Sequence, residues 1–141
     1  MDVSRTEIVR DLMHRLFNGH NPYLASLYCS PDLVWHGGSV GTVQGIHNYE
    51  DVMREFFDAL PDVHAVEQDV VESANTVAMR FVVEGTHQGD LWGIPGTGHQ
   101  IQWDAVMIYR FVGPMIVEQW AAEDWTAILQ GVGAYHPQWA S

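Results

Sequence analysis

Basic residues are scarce in this chain. Six Lys and Arg side chains stand against 18 Asp and Glu, which gives a formal net charge of −12 over 141 residues. The field of such a chain repels phosphate backbones and anionic membrane surfaces. We therefore expect neither a nucleic acid nor a membrane among its partners.

Long apolar runs and paired cysteines are also lacking. No stretch approaches the roughly 20 apolar residues that cross a bilayer, and residues 1–5 have neither the charge nor the apolar segment of a signal peptide. The single Cys29 cannot form an internal disulfide, in agreement with a reducing compartment. The sequence predicts a soluble, cytoplasmic protein.

Motifs for metals and nucleotides are missing as well. The eight histidines form no H-x-H, H-E-x-x-H or Cys-His cluster, so we expect no metal site. The glycine-rich residues 93–98 lack the lysine and the following helix that phosphate binding requires. We expect no cofactor.

The patterns that are present change in kind along the chain. Hydrophobic residues make up 47% of the sequence, enough for one domain over residues 1–141. Ser4 and Glu7 stand in capping-box spacing before an apolar helical face that ends at Phe17. Further helices are predicted over residues 22–29 and between Gly45 and Pro61.

From residue 63 onward the period becomes alternating, which predicts strands. We expect a brief strand at residues 33–36 and four long ones at 63–72, 76–85, 100–111 and 115–121. Helices followed by antiparallel strands are typical of an α+β domain.

The strand at residues 100–111 has two distinct faces. One face is apolar and suits a core or a pocket wall, and it carries Ile101, Trp103, Ala105, Met107, Tyr109 and Phe111. The other face is mixed, with Val106 and Ile108 among polar neighbours. This second face predicts pairing with another subunit, hence a homodimer.

Three stretches occur in an order that resembles a known family. They are residues 56–62 (FFDALPD), 85–98 (GTHQGDLWGIPGTG) and 116–120 (IVEQW) followed by Asp124. Together they resemble the SnoaL-like polyketide cyclases over nearly the whole chain. The resemblance implies an NTF2-like cone or barrel, with N-terminal helices packed on a curved, mainly antiparallel sheet that encloses an apolar pocket. It also implies a dimer and cofactor-free ring closure by intramolecular aldol condensation.

The polar active-site pattern of that family does not carry over. The family's tyrosine matches Phe17, its asparagine falls on or next to Val52, its histidine matches Met107, and its acid/base aspartate matches Ala121. None of these side chains can accept a proton from a carbon acid or stabilise an oxyanion. We expect these four positions to contact substrate without performing the chemistry.

Two other residues are the candidates for acid/base catalysis. His36 ends the short strand in a segment that often faces the cavity in similar proteins, although a surface histidine is the structural alternative. Asp104 is the one acid within the apolar strand, and burial would raise its pKa. Alternation places Asp104 on the face of the strand that is opposite to the one with Trp103 and Met107. Its role therefore depends on the local strand register.

Several further residues are candidates for substrate contact. Gln119 shares a strand face with Val117 and Ala121 and could hydrogen-bond a substrate carbonyl. His87 matches a family position beside a turn. Trp92 and Trp103, with Phe17, offer flat apolar surfaces, which could equally belong to the core. Asp124 is interpreted as a helix cap.

These observations predict a cofactor-free cyclase or isomerase that acts on a hydrophobic, polyketide-like molecule. A cofactor-independent hydroxylase of the same fold and a non-catalytic binding protein stay open as alternatives. An epoxide hydrolase resembling limonene epoxide hydrolase is disfavoured, because Gln102 stands where the Asp-Arg-Asp arrangement needs arginine.

Overall fold

Most of the helical residues lie within the first 60 residues of the chain. A computed structural model describes residues 3–139. The helices are α1 (Arg5–Leu12), extended by a π-helical turn over Met13–Phe17, a 3₁₀ helix at Pro22–Leu27, a 3₁₀ turn at Gly38–Val40, α2 (Ile46–Ala59) and α3 (Trp125–Gly131).

The strands form one open, curved sheet. They are β1 (Cys29–His36), β2 (Thr42–Gln44), β3 (His64–Glu72), β4 (Thr76–Thr86), β5 (Gln100–Val112) and β6 (Met115–Glu123). Their order is β2-β1-β6-β5-β4-β3. Every neighbouring pair is antiparallel except β1 and β6, which run parallel. The predicted α+β class is confirmed.

Local sequence explains where the helices begin and end. The Ser4 side chain accepts a hydrogen bond from the Glu7 amide at 3.1 Å, so the predicted cap forms. In α2, the spacing of Ile46, Tyr49, Met53 and Phe57 places one apolar stripe against the sheet. That helix ends before Pro61, whose ring disfavours helical backbone in the preceding residue.

Strand β5 alternates along its whole length between exposed and buried side chains. Its buried set is the predicted apolar face. Strand β6 departs from simple alternation, because a register shift opposite Arg110 and Phe111 leaves Val117 unpaired. Ile116, and not Val117, is therefore the buried residue on this side of the strand, together with Gln119 and Ala121.

Strands β1 and β6 are longer than predicted, and β2 and α3 are additional elements. Strand β1 begins at Cys29, and β2 was not predicted. Strand β6 continues to Glu123, after which Asp124 accepts a hydrogen bond from the Ala127 amide at 3.1 Å and starts α3. The predicted capping role of Asp124 is confirmed. No helix within residues 3–139 has the length and apolar character needed to cross a bilayer.

Candidate active site

A cavity of about 620 Å³ lies between the inner face of the sheet and helices α1 and α2. Small-molecule sites in proteins commonly span about 300–1,000 Å³. Most of the wall is apolar or aromatic and comes from Leu12, Met13, Phe17, Trp35, Val40, Val43, Val52, Met53, Phe56, Leu91, Trp92, Met107, Ala121 and Trp125. Such a wall suits a hydrophobic ligand.

Glu123 places a carboxyl group in this apolar cavity. It is the last residue of β6 and pairs across the sheet with Ala105, so its side chain lies on the inner face. Burial raises the pKa of Glu123 from 4.5 to about 7, while a hydrogen bond from Trp103 acts in the opposite direction. Near neutral pH the group can therefore both accept and donate a proton.

Trp103 fixes the position of that carboxyl group. Its indole N–H donates a hydrogen bond to Glu123 Oε1 at 3.2 Å. The indole itself packs edge-on against Phe56 of α2, with ring centroids 6.2 Å apart. Trp103 is 2% exposed and is not among the cavity-lining residues. Its predicted substrate contact is therefore corrected to a supporting role behind Glu123.

Polar side chains that are almost fully buried in the lining include Tyr109, Tyr49 and Gln119, which are 0%, 3% and 5% exposed. Tyr109 and Gln119 stand directly opposite each other on β5 and β6. The Tyr109 hydroxyl donates to Met13 Sδ at 3.5 Å, and the Gln119 amide donates to Met107 Sδ at 3.8 Å. Both groups thus use weak thioether acceptors.

The mouth of the cavity is acidic and aromatic. Trp92, on the loop after β4, packs edge-on against Trp125 with ring centroids 4.8 Å apart. Trp92 is 48% exposed and has a φ of 50°, an unusual backbone conformation for a bulky residue. The exposed carboxylates that complete the lining belong to Glu55, Asp58 and Asp90.

The family of this chain follows from its match to a family model. Residues 7–132 match the model of the SnoaL-like polyketide cyclases. The chain belongs to this family. No curated protein sequence matches it.

Solved structures share the SnoaL-like fold along almost the full length. AclR from Streptomyces galilaeus, a candidate hydroxylase, is 24% identical with a TM-score of 0.83, covering 94% of this chain and 97% of its own. A candidate SnoaL-like polyketide cyclase from Jannaschia sp. CCS1 is 17% identical with a TM-score of 0.87, covering 97% and 99%. IdmH from Streptomyces antibioticus, a candidate polyketide cyclase, is 24% identical with a TM-score of 0.81, covering 93% and 99%.

The four positions matched to polar residues of the SnoaL-like family all lie on the cavity wall. Phe17 and Val52 come from the helical layer, and Met107 and Ala121 come from the sheet. Glu123 follows Ala121 by two residues and therefore occupies the same strand face. If the alternation of the last strand had been continued beyond Ala121, the sequence alone would have placed Glu123 on the inner face.

His36 does not line the cavity. Its neighbour Trp35 does, and successive side chains of a strand point to opposite faces. The His36 ring instead donates a hydrogen bond to Glu118 at 2.7 Å and stacks on Trp120, with ring centroids 5.1 Å apart. The expected placement of His36 in the pocket of this SnoaL-like protein is corrected to the outer face.

Asp104 is also on the outer face. It is exposed, whereas its neighbours Trp103 and Ala105 are buried on the inner face. Strand β5 has no register shift against β4, so nothing reverses the alternation at this point. Asp104 therefore cannot reach a ligand in the cavity.

His87 is fully buried and does not line the cavity. Its Nε2–H donates to the Ile94 carbonyl at 3.1 Å, which leaves Nδ1 to accept from Thr97 Oγ1 at 2.9 Å. The ring holds the loop that brings Trp92 to the mouth. The predicted substrate contact of His87 is thus corrected to a loop-holding role.

The structure also bears on metal binding. Within residues 3–139, no three His, Cys, Asp or Glu side chains converge in a way that would hold a metal ion.

Proposed function

We propose that this SnoaL-like protein is a cofactor-free enzyme that cyclises or isomerises a hydrophobic, polyketide-like molecule. The observation that carries the proposal is Glu123, a carboxyl group on the inner face of the sheet in a largely apolar cavity, with a pKa raised to about 7. A titratable side chain whose pKa is shifted by burial to near the working pH is typical of general acid/base catalysis.

The chemistry requires one proton acceptor. The Glu123 carboxylate takes a proton from a carbon next to a carbonyl, and an enolate forms. In an isomerisation, the carboxylic acid returns the proton to another carbon. In a cyclisation, the enolate carbon attacks a second carbonyl of the same molecule, and the acid protonates the resulting alkoxide. Holding both reactive ends in one cavity lowers the barrier further.

The charges of the cavity favour a neutral substrate. Its lining contains the carboxyl groups of Glu55, Asp58, Asp90 and Glu123, and no Lys, Arg or His among residues 3–139. An anionic ligand would meet a repulsive field with no cation to balance it. We therefore propose an uncharged molecule with a largely apolar surface.

Deuterium exchange of a model ketone tests the acid/base role. We would incubate 2-tetralone, a bicyclic ketone with acidic α-protons, in D₂O and follow its exchange by NMR. The wild-type protein should accelerate exchange, with a rate that rises through pH about 7 as Glu123 ionises. Glu123→Gln should lose at least about a hundredfold of this acceleration, the low end of general-base contributions.

Asp104→Asn is the matched control, since it also removes a carboxylate from a strand of the same sheet but on the outer face. It should exchange 2-tetralone at the wild-type rate. Equal rates for Glu123→Gln and the wild type would refute the acid/base role. If 2-tetralone bound and neither protein accelerated its exchange over the rate in buffer, a non-catalytic binding protein would become the better account.

We further propose a cytoplasmic homodimer, with residues 1–141 as one domain in each subunit. The support is the outer face of β5, where Val106 and Ile108 are 39% and 37% exposed. Beside them, Arg110 bonds to Glu118 at 2.9 Å and stacks on Trp120 at 4.8 Å. A flat face with apolar, aromatic and paired charged groups suits a subunit interface.

A further inference from the structure

We propose that Tyr109 and Gln119 form an oxygen-binding subsite at the buried end of the cavity. The substrate then carries a carbonyl or hydroxyl oxygen at this end, in addition to the group that reacts at Glu123. This inference rests on the proposed function, because it names the class of substrate for the same cavity.

The two side chains are arranged as a pair. Tyr109 and Gln119 are directly opposite residues of antiparallel strands, and their side chains share the inner face. The Cβ atoms of such a pair are about 4.5–5.5 Å apart. The two side chains therefore start side by side, and in our proposal one ligand oxygen accepts from both the hydroxyl and the amide.

Their present hydrogen bonds leave capacity for a ligand. Buried polar groups in proteins are normally paired with good donors or acceptors. Here the donors reach only the sulfur atoms of Met13 and Met107, which are weak acceptors. Both methionines line the cavity and have flexible side chains that can move aside. A ligand carbonyl oxygen would be a stronger acceptor for both donors.

The distance to the acid/base group constrains the substrate further. Gln119 and Glu123 are four residues apart on one strand, so their Cα atoms are separated by roughly 13 Å. An oxygen held at Tyr109 and Gln119 is therefore not the oxygen of the carbonyl next to the carbon that Glu123 deprotonates. The substrate class that fits is a neutral molecule with several oxygens distributed along an apolar frame.

A ligand pair that differs in one oxygen tests this subsite. We would measure the dissociation constants of 1-tetralone and of tetralin, its deoxygenated counterpart, by tryptophan fluorescence. The ratio of the two constants cancels the apolar contribution that they share. In the double variant Tyr109→Phe/Gln119→Met, the ratio in favour of the ketone should fall about tenfold, as the loss of one to two net hydrogen bonds predicts.

Each single variant should lower the ratio about threefold, which keeps the test decisive if the double variant does not fold. Tyr28→Phe is the control, because the Tyr28 hydroxyl bonds to Asp11 at 2.6 Å and is not part of the lining. It should keep the wild-type ratio. Infrared spectra should place the carbonyl stretch of bound 1-tetralone at lower frequency in the wild type than in the double variant.

An unchanged ratio in the folded variants, or an unchanged carbonyl frequency, would overturn the subsite. Glu123→Gln separates this inference from the proposed function, since it should keep the ketone preference while losing deuterium exchange. Exchange that persists in Glu123→Gln would remove the proposed chemistry, and the ketone preference would still report on Tyr109 and Gln119.

Discussion

The pH dependence of the free energy of unfolding should report how strongly the cavity desolvates the Glu123 carboxyl group. Its pKa is about 7 in the folded protein against an ordinary value of 4.5. That difference corresponds to about 3 kcal/mol at 1.36 kcal/mol per pKa unit. Between pH 4.5 and 7 the folded state binds more protons at this site than the unfolded state does. The free energy of unfolding therefore falls as pH rises through this window, and the full cost is present above pH 7.

Glu123→Gln removes this titration and keeps an acceptor for the Trp103 indole. We expect the variant and the wild type to be about equally stable at pH 4, and the variant to be more stable by up to about 3 kcal/mol at pH 8. For a chain of nearly this size, that corresponds to roughly 6–12 °C in melting temperature. Urea unfolding at several pH values, followed by circular dichroism, measures the difference directly.

The comparison is made between two proteins so that the contributions of every other ionisable group cancel in the difference between variant and wild type. Asp104→Asn, which removes a carboxylate from the outer face, is measured in the same way as the control. A flat difference for Glu123→Gln would refute the reasoning that the cavity desolvates this carboxyl group.

Two other predictions concern the loop and the outer face. His87→Ala should lower the free energy of unfolding by about 2–4 kcal/mol, because a fully buried ring with two hydrogen bonds is lost, and should speed amide exchange across residues 88–98. A loss below about 0.5 kcal/mol would contradict the loop-holding role. The wild type should sediment as a dimer at micromolar concentration, and Ile108→Asp should shift it toward monomer, whereas Leu27→Asp, at an exposed position of the helical layer, should not. A wild-type monomer would refute the homodimer.

Much of the fold was accessible from local patterns. Alternation in residues 100–111 identified the inner face of β5, and the Ser4 and Asp124 caps were recognised from residue type and position. Strand β2 and helix α3 were missed because each is short, and both depend on tertiary packing more than on their own periodicity. The predicted strand began only at residue 33, yet Ser30, Pro31 and Asp32 lie within β1, where its pairing with β6 is irregular.

The site was harder to predict than the fold. The sequence Glu123-Asp124 looks like the polar end of a strand, and only the packing of Trp103 and the cavity around it make Glu123 a half-buried acid. His36 could have been placed correctly, since alternation allows only one of Trp35 and His36 to face the core, and tryptophan is the more apolar. The partners of Tyr109 could not be predicted, because Met13 comes from a distant part of the chain.

The position of β6 in the sheet has a consequence for how the chain folds. This strand is the last to be synthesised, yet it lies between β1 and β5 and pairs with both, as at Trp35 with Gln119 and at Tyr109 with Gln119. Until residues 115–123 leave the ribosome, β1 and β5 each present an unpaired edge that another chain can join. The sheet is completed by the pairing of β1 with β6, the strand pair with the largest separation in sequence. Folding should therefore be slow, and a prematurely terminated chain should aggregate.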